Sequence, residues 1–126
     1  MANPAKDVYI AGSVFSDHQI TLIEGPETNL DLEWSALLQT RDGKIVLDLG
    51  DDGFLKGDLI AGGDEGDVIL TANDTLVLNG EILADRAISI TAGSAAATDS
   101  LTIAPTAWLR TNSDPDVLLM GLDQRI

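Results

Sequence analysis

Apolar and polar residues alternate along this chain in short runs, broken by glycine, asparagine and aspartate. Alternation of this kind marks strands with one buried face. Three runs crowd into residues 76–93, LVLNGEILADRAISITAG: Leu76/Leu78, Glu81–Leu83 and Ile88/Ile90/Ala92. Gly80 and the step Ala84-Asp85-Arg86 separate them, and Gly93 closes the unit. Runs so short, with turns so frequent, do not suit a sandwich of long strands.

The unit occurs twice. Its earlier copy is VYIAGSVFSDHQITLIEG at 8–25, where Gly12, Asp17, Ile20, Leu22 and Gly25 match Gly80, Asp85, Ile88, Ile90 and Gly93 at a step of 68 residues (80 − 12, 93 − 25). A second set follows at a step of 71 (101 − 30, 121 − 50): Leu30, Leu32, Leu38, Thr40 and Gly50 match Leu101, Ile103, Leu109, Thr111 and Gly121. The step lengthens because SAAATDS at 94–100 replaces PETN at 26–29. Repeats that stack tolerate such loop changes without losing the strand pattern.

Residues 1–7 are read as a loose lead-in, 8–121 as one domain and 122–126 as its end, with copies 8–50 and 76–121 flanking a linking coil at 51–75. Strands are predicted at Val8–Ile10, Gln19–Ile23, Lys44–Leu49, Asp58–Ala61 and Asp67–Thr71, with Val117–Met120 as the last, and Val14-Phe15 is a short apolar pair. The stretch 30–40, LDLEWSALLQT, reads two ways. Leu30, Trp34, Leu37 and Leu38 sit at helical spacing behind an Asn29 cap, whereas Leu30, Leu32 and Trp34 alternate. The second copy carries Pro105, a poor residue inside a helix. Two short strands are therefore predicted, with a helix as the alternative.

A step near 70 suits three coils of roughly 22–24 residues each. One coil cannot bury its own inward side chains; stacking coils at about 4.8 Å buries them and pairs the backbones. The predicted fold is all-β, a parallel β-helix (β-solenoid) of about five or six coils, on the order of 25 Å long. Leu78, Ile82, Ile88 and Ile90 would point inward, Ala61 and Ala92 would pack tightly before turns, and Asn79, Asp85 and Arg86 would form corners. An antiparallel sandwich is the alternative, and it predicts no long-period repeat.

Composition fits. Apolar content is 44% but aromatics are only 4%, so the core is aliphatic, as thin stacked layers require. The 21 acidic and 7 basic residues give a net charge of −14. That disfavours nucleic acid and anionic membranes, which need Lys and Arg against phosphate. No run is long enough for membrane insertion as a helix, and MANPAKDVYIAGS lacks the apolar segment of a signal peptide. The chain either stays inside the cell or belongs to a longer exported protein. It has no cysteine.

The string GDVILTANDTLVLNGEILADRAISITAG, with its A/N-G-x-I-x-A-x-x-x-I-x-I-x-A-G rhythm and preceding D-x-L-x-L strand, resembles the filamentous-haemagglutinin-like repeats of large secreted bacterial exoproteins and adhesins. The resemblance is clear over Asp58–Gly93 and weaker over Val8–Gly25. It implies a right-handed parallel β-helix, an extracellular or cell-surface setting and a structural or adhesive role. It transfers no catalytic residue.

Candidate chemistry is sparse. Asp48, Asp51, Asp52, Asp58, Asp64, Glu65 and Asp67 cluster among glycines. Calcium takes several oxygens at tight turns, and GGDEGDVIL resembles the calcium nonapeptide with its third glycine and aspartate displaced. Asp51, Asp52, Asp64, Glu65 and Asp67 are the weak calcium candidates; solvated turns are the competing account. His18 is the sole histidine, which excludes a multi-histidine metal site. A triad would need Ser13 or Ser16 beside it, without any G-x-S-x-G elbow. No phosphate-cradling or dinucleotide motif occurs, and no one pair of the acidic residues stands out for glycoside chemistry. The expectation is a non-enzymatic structural or interaction module that self-associates through open solenoid ends, as a fibre or adhesin rod segment. The alternative is a carbohydrate-active or carbohydrate-binding β-helix. Trp34, Trp108 and Tyr9 are its candidate platforms, although the two Trp equally suit core packing. A groove lined by Trp34 or Trp108 with two nearby carboxylates would favour the alternative; smooth flanks carrying only turn acids would favour the scaffold.

Overall fold

The computed structural model describes residues 6–25, 27–93, 101–111, 117–121 and 124–125. Residues 1–5, 26, 94–100, 112–116, 122–123 and 126 fall outside the described residues. Short alternating runs become strands, and each Gly, Asn or Asp break becomes a corner. The first coil holds β1 (Lys6–Ile10), β2 (Ser13–Ser16) and β3 (Ile20–Ile23). The second holds β4 (Thr28–Leu32), β5 (Leu37–Thr40) and β6 (Ile45–Leu49). The third holds β7 (Gly53–Leu55), β8 (Asp58–Ala61) and β9 (Asp67–Ala72). The fourth holds β10 (Leu76–Leu78), β11 (Glu81–Ala84) and β12 (Ala87–Ala92). The fifth holds β13 (Leu101–Ile103), β14 (Trp108–Thr111) and β15 (Val117–Gly121), and β16 (Gln124–Arg125) starts another.

Every strand pairs in parallel with its equivalent in an adjacent coil. Three sheets result, in the orders β1-β4-β7-β10-β13-β16, β14-β11-β8-β5-β2 and β15-β12-β9-β6-β3. This is a parallel β-solenoid, and the sandwich alternative is set aside. So is the helix over 30–40, because β4 and β5 lie in different sheets. Five strands in a sheet are separated by four turns, so the stack makes about 4 turns, slightly fewer than the coil count expected.

The repeat step corresponds to three coils. Ile20 pairs with Ile45, Ile45 with Val68 and Val68 with Ile88, while Leu22, Leu47, Leu70 and Ile90 form the adjacent column. Leu30 reaches Leu101 through Gly53 and Leu76. One match needs correcting. Gly121 pairs with Ala92, Ala92 with Ala72 and Ala72 with Leu49, so Gly121 belongs to the column of Leu49 and not to that of Gly50. One extra residue between β14 and β15 shifts the register beyond them.

The apolar pair Val14-Phe15 lies within β2, and two further strands escaped the pattern. In β7 the inward position between Leu30 and Leu76 is Gly53, so the run lacks the side chain that would signal alternation. The Leu49 and Leu76 side chains occupy the space a Cβ at Gly53 would need. The other is β16, so Val117–Met120 is not the last strand.

The core is a set of aliphatic columns. Leu30, Leu32, Ile45, Leu47, Leu59, Val68, Leu70, Leu76 and Ile90 are fully buried. Leu78, Ile82 and Ile88 point inward as expected, and Ala61, Ala72, Ala84 and Ala92 fill positions before turns. Side chains staple the corners. Asn29 Oδ1 accepts from the Asp52 amide and Asp52 Oδ1 from the Thr75 amide, both at 3.0 Å. Arg86, at its predicted corner, donates through Nε and Nη2 to the two Asp67 oxygens at 2.8 and 2.6 Å, a bidentate geometry that strengthens the contact.

Candidate functional site

The corner leading from the first sheet to the second varies in length. It takes two residues in the first, third and fourth coils: Ala11-Gly12, Lys56-Gly57 and Asn79-Gly80. It takes four in the second and fifth, Glu33–Ala36 and Ala104–Ala107. Each enlarged corner is a turn closed by a backbone bond, Ala36 N–H to Glu33 C=O at 3.0 Å and Ala107 N–H to Ala104 C=O at 2.9 Å. Each is tied to the coil before it by a hydroxyl at the same place in the turn. Ser35 Oγ donates to the Ala11 carbonyl at 2.7 Å, and Thr106 Oγ1 to the Asn79 carbonyl at 3.1 Å.

The short corners between them lie low because they stack backbone on backbone. A Cβ at Gly57 would stand 2.5 Å from the Glu33 and Ala36 carbonyl oxygens, and one at Gly80 would collide with the Gly57 carbonyl. Two tight corners flanked by two enlarged ones make a groove of about 480 Å³. Trp34, on the first enlarged corner, and Trp108, opening β14, line it with Asp58, Asn79, Glu81 and Thr106. The indoles are 63% and 61% exposed, so neither is core. Asp58, Glu81 and Trp108 follow one another on the outer face of the second sheet. Asp58 Oδ1 accepts from the Glu81 amide at 2.9 Å. Lys56 also lines the groove, but its ammonium is held by Glu33 at 3.2 Å and Asp31 at 3.3 Å. The hydrogen bonds to Glu33 and then Asp31 raise its pKa.

The two Trp, and the value of a groove with carboxylates, were legible in sequence; the groove was not. Its signal lay in the corner lengths, AG, EWSA, KG, NG and APTA, read in coil order.

The calcium candidates separate. Asp51 and Asp52 come together with Asp74, their carboxylate oxygens within 4.8 Å of one another. Asp64 and Glu65 are exposed at the corner between β8 and β9, and Asp67 is engaged by Arg86. Asp74 was missed because it lies a full coil from the other two in sequence. Burial raises the pKa of Asp51, and the charges of Asp52, Asp74 and Glu27 raise it further. The folded chain therefore holds this proton more tightly than the unfolded chain. Stability from this group is present below the ordinary carboxylate pKa and falls as pH rises through the raised value. Asp51→Asn should accordingly melt higher than the wild type at pH 7, and the gap should close in acid. Equal melting temperatures at neutral pH and low salt would contradict the crowding of charge at this corner.

His18 is exposed at the corner between β2 and β3. No helix of the described residues is long and apolar enough to cross a membrane. No family model, curated protein or solved structure matches the chain.

Proposed function

We propose that the protein is a structural and interaction module in which the first coil of one copy is covered by a coil of a second, building an end-to-end stack. The observation that carries this reading is the first coil itself. Its three strands each have a single neighbour among the described residues. Val8, Ile10, Ile20 and Leu22 are only partly buried, whereas the core residues beneath them are sealed. Unpaired strand edges with apolar residues beside them favour pairing with another chain. The corner glycines agree. Gly57 and Gly80 abut the preceding coil, while Gly12, at the equivalent corner, has nothing within 4 Å of its would-be Cβ. A rod segment at a cell surface, adhesin-like, is the setting we favour, on the resemblance of Asp58–Gly93 to haemagglutinin-like repeats.

Sedimentation of the intact chain at increasing concentration should reveal association, and electron microscopy should reveal rods. Gly12→Val should suppress both while leaving the melting of the dilute monomer unchanged, because the added side chain meets only an incoming coil. A strict monomer at high concentration would refute the stack, as would undiminished association of Gly12→Val.

A further inference from the structure

We infer that the groove between Trp34 and Trp108 binds a neutral oligosaccharide. The chain has 2 Trp and both line this groove. Each holds a large flat apolar surface in water, beside side chains rich in hydrogen-bonding groups. A pyranose ring has the matching two-sided chemistry: an apolar face of C–H groups that stacks on an indole, and a rim of hydroxyls. Asp58 and Glu81 accept from such hydroxyls, Asn79 both donates and accepts, and Thr106 offers a further acceptor. The groove's volume lies within the customary range of roughly 300–1,000 Å³ for small-molecule sites.

Charge narrows the occupant. The enlarged corners stand on the second and fifth coils, three strand spacings or about 14 Å apart. Lys56 is the cation of the groove and is already paired with Asp31 and Glu33, which leaves Asp58 and Glu81 to set its charge. The chain as a whole carries −14. An anionic glycan is repelled, and an uncharged one is not. The assignment rests on the enlarged corners alone and is independent of stacking through the first coil.

Tryptophan emission reports this groove and no other part of the chain. Titration of the dilute Gly12→Val background with cellotetraose, mannotetraose and tetra-N-acetylchitotetraose should give a saturable emission change with at least one of them. Tetragalacturonate should give none. Trp34→Ala and Trp108→Ala each keep one reporter and should weaken binding about tenfold, the scale of one lost stacking contact. Both side chains are exposed, so melting should not change. The inference is overturned by any of three results: no saturable change with the neutral sugars up to about 10 mM, saturation by tetragalacturonate instead, or wild-type affinity in both Trp variants.

Discussion

Leu70→Asp is expected to abolish cooperative folding. Leu70 is fully buried in the middle of the column Leu22, Leu47, Leu70, Ile90, with a coil on each side. Removing its side chain alone, as in Leu70→Ala, costs about 2–5 kcal/mol. An unpaired carboxylate in its place adds a desolvation penalty of several kcal/mol, and the total rivals the roughly 5–15 kcal/mol of a typical domain. Circular dichroism at neutral pH should show no sigmoidal melt. Leu22→Asp is the internal comparison. Leu22 occupies the same column but lies in the first coil, where it is only partly buried. Its carboxylate can reach water, and the variant should fold with a lowered melting temperature. If Leu70→Asp and Leu22→Asp melt alike, the column is misassigned.

The second large effect is expected from Gly80→Val. The obstacle there is backbone, the Gly57 carbonyl of the coil below, which cannot swing aside as a flexible side chain would. Both corners must move apart, and the amide of Asn79, which donates to Leu55 C=O at 2.9 Å, moves with them. A loss of about 3 kcal/mol is expected, at the upper end for overpacking, measured by denaturant unfolding. Gly12→Val, at the equivalent corner of the first coil, should cost the monomer nothing. The same substitution thus reads opposite ends of one stack.

How much was legible follows from where side chains carry the signal. β10, β11 and β12 were readable because Leu76/Leu78, Ile82 and Ile88/Ile90/Ala92 alternate without interruption, and their three-coil partners confirmed the period. β7 was not, because its inward position holds Gly53 and the missing volume comes from Leu49 of the preceding coil. Gly50 and Gly121 look equivalent yet fall one column apart, since a linear step is blind to one residue added before β15. Of the site, Trp34 and Trp108 could be named as platforms but not placed on one face. The helical spacing of Trp34 with Leu30, Leu37 and Leu38 obscured a turn whose length matters more than its hydrophobicity. Asp51, Asp52, Asp64 and Glu65 were legible as corner residues, whereas Asp67 opens β9 and is buried. Which of them met was not, because Asp74 approaches Asp51 and Asp52 only across a coil.

The near-constant register step has a kinetic consequence. Paired strands of the third sheet lie between 20 residues apart, Val68 to Ile88, and 29 apart, Ile88 to Val117. Loop-closure entropy grows with the logarithm of length, so these extremes differ by only about 0.3 kcal/mol. No coil is much harder to wind than its neighbour, and winding can begin between any two and spread outward. The same arithmetic makes a corner cheap to lengthen. Two residues added at Glu33–Ala36 or Ala104–Ala107 delay closure very little, while a single carboxylate in a column is ruinous. Such a chain can recut its grooves freely and leave its winding rate almost untouched.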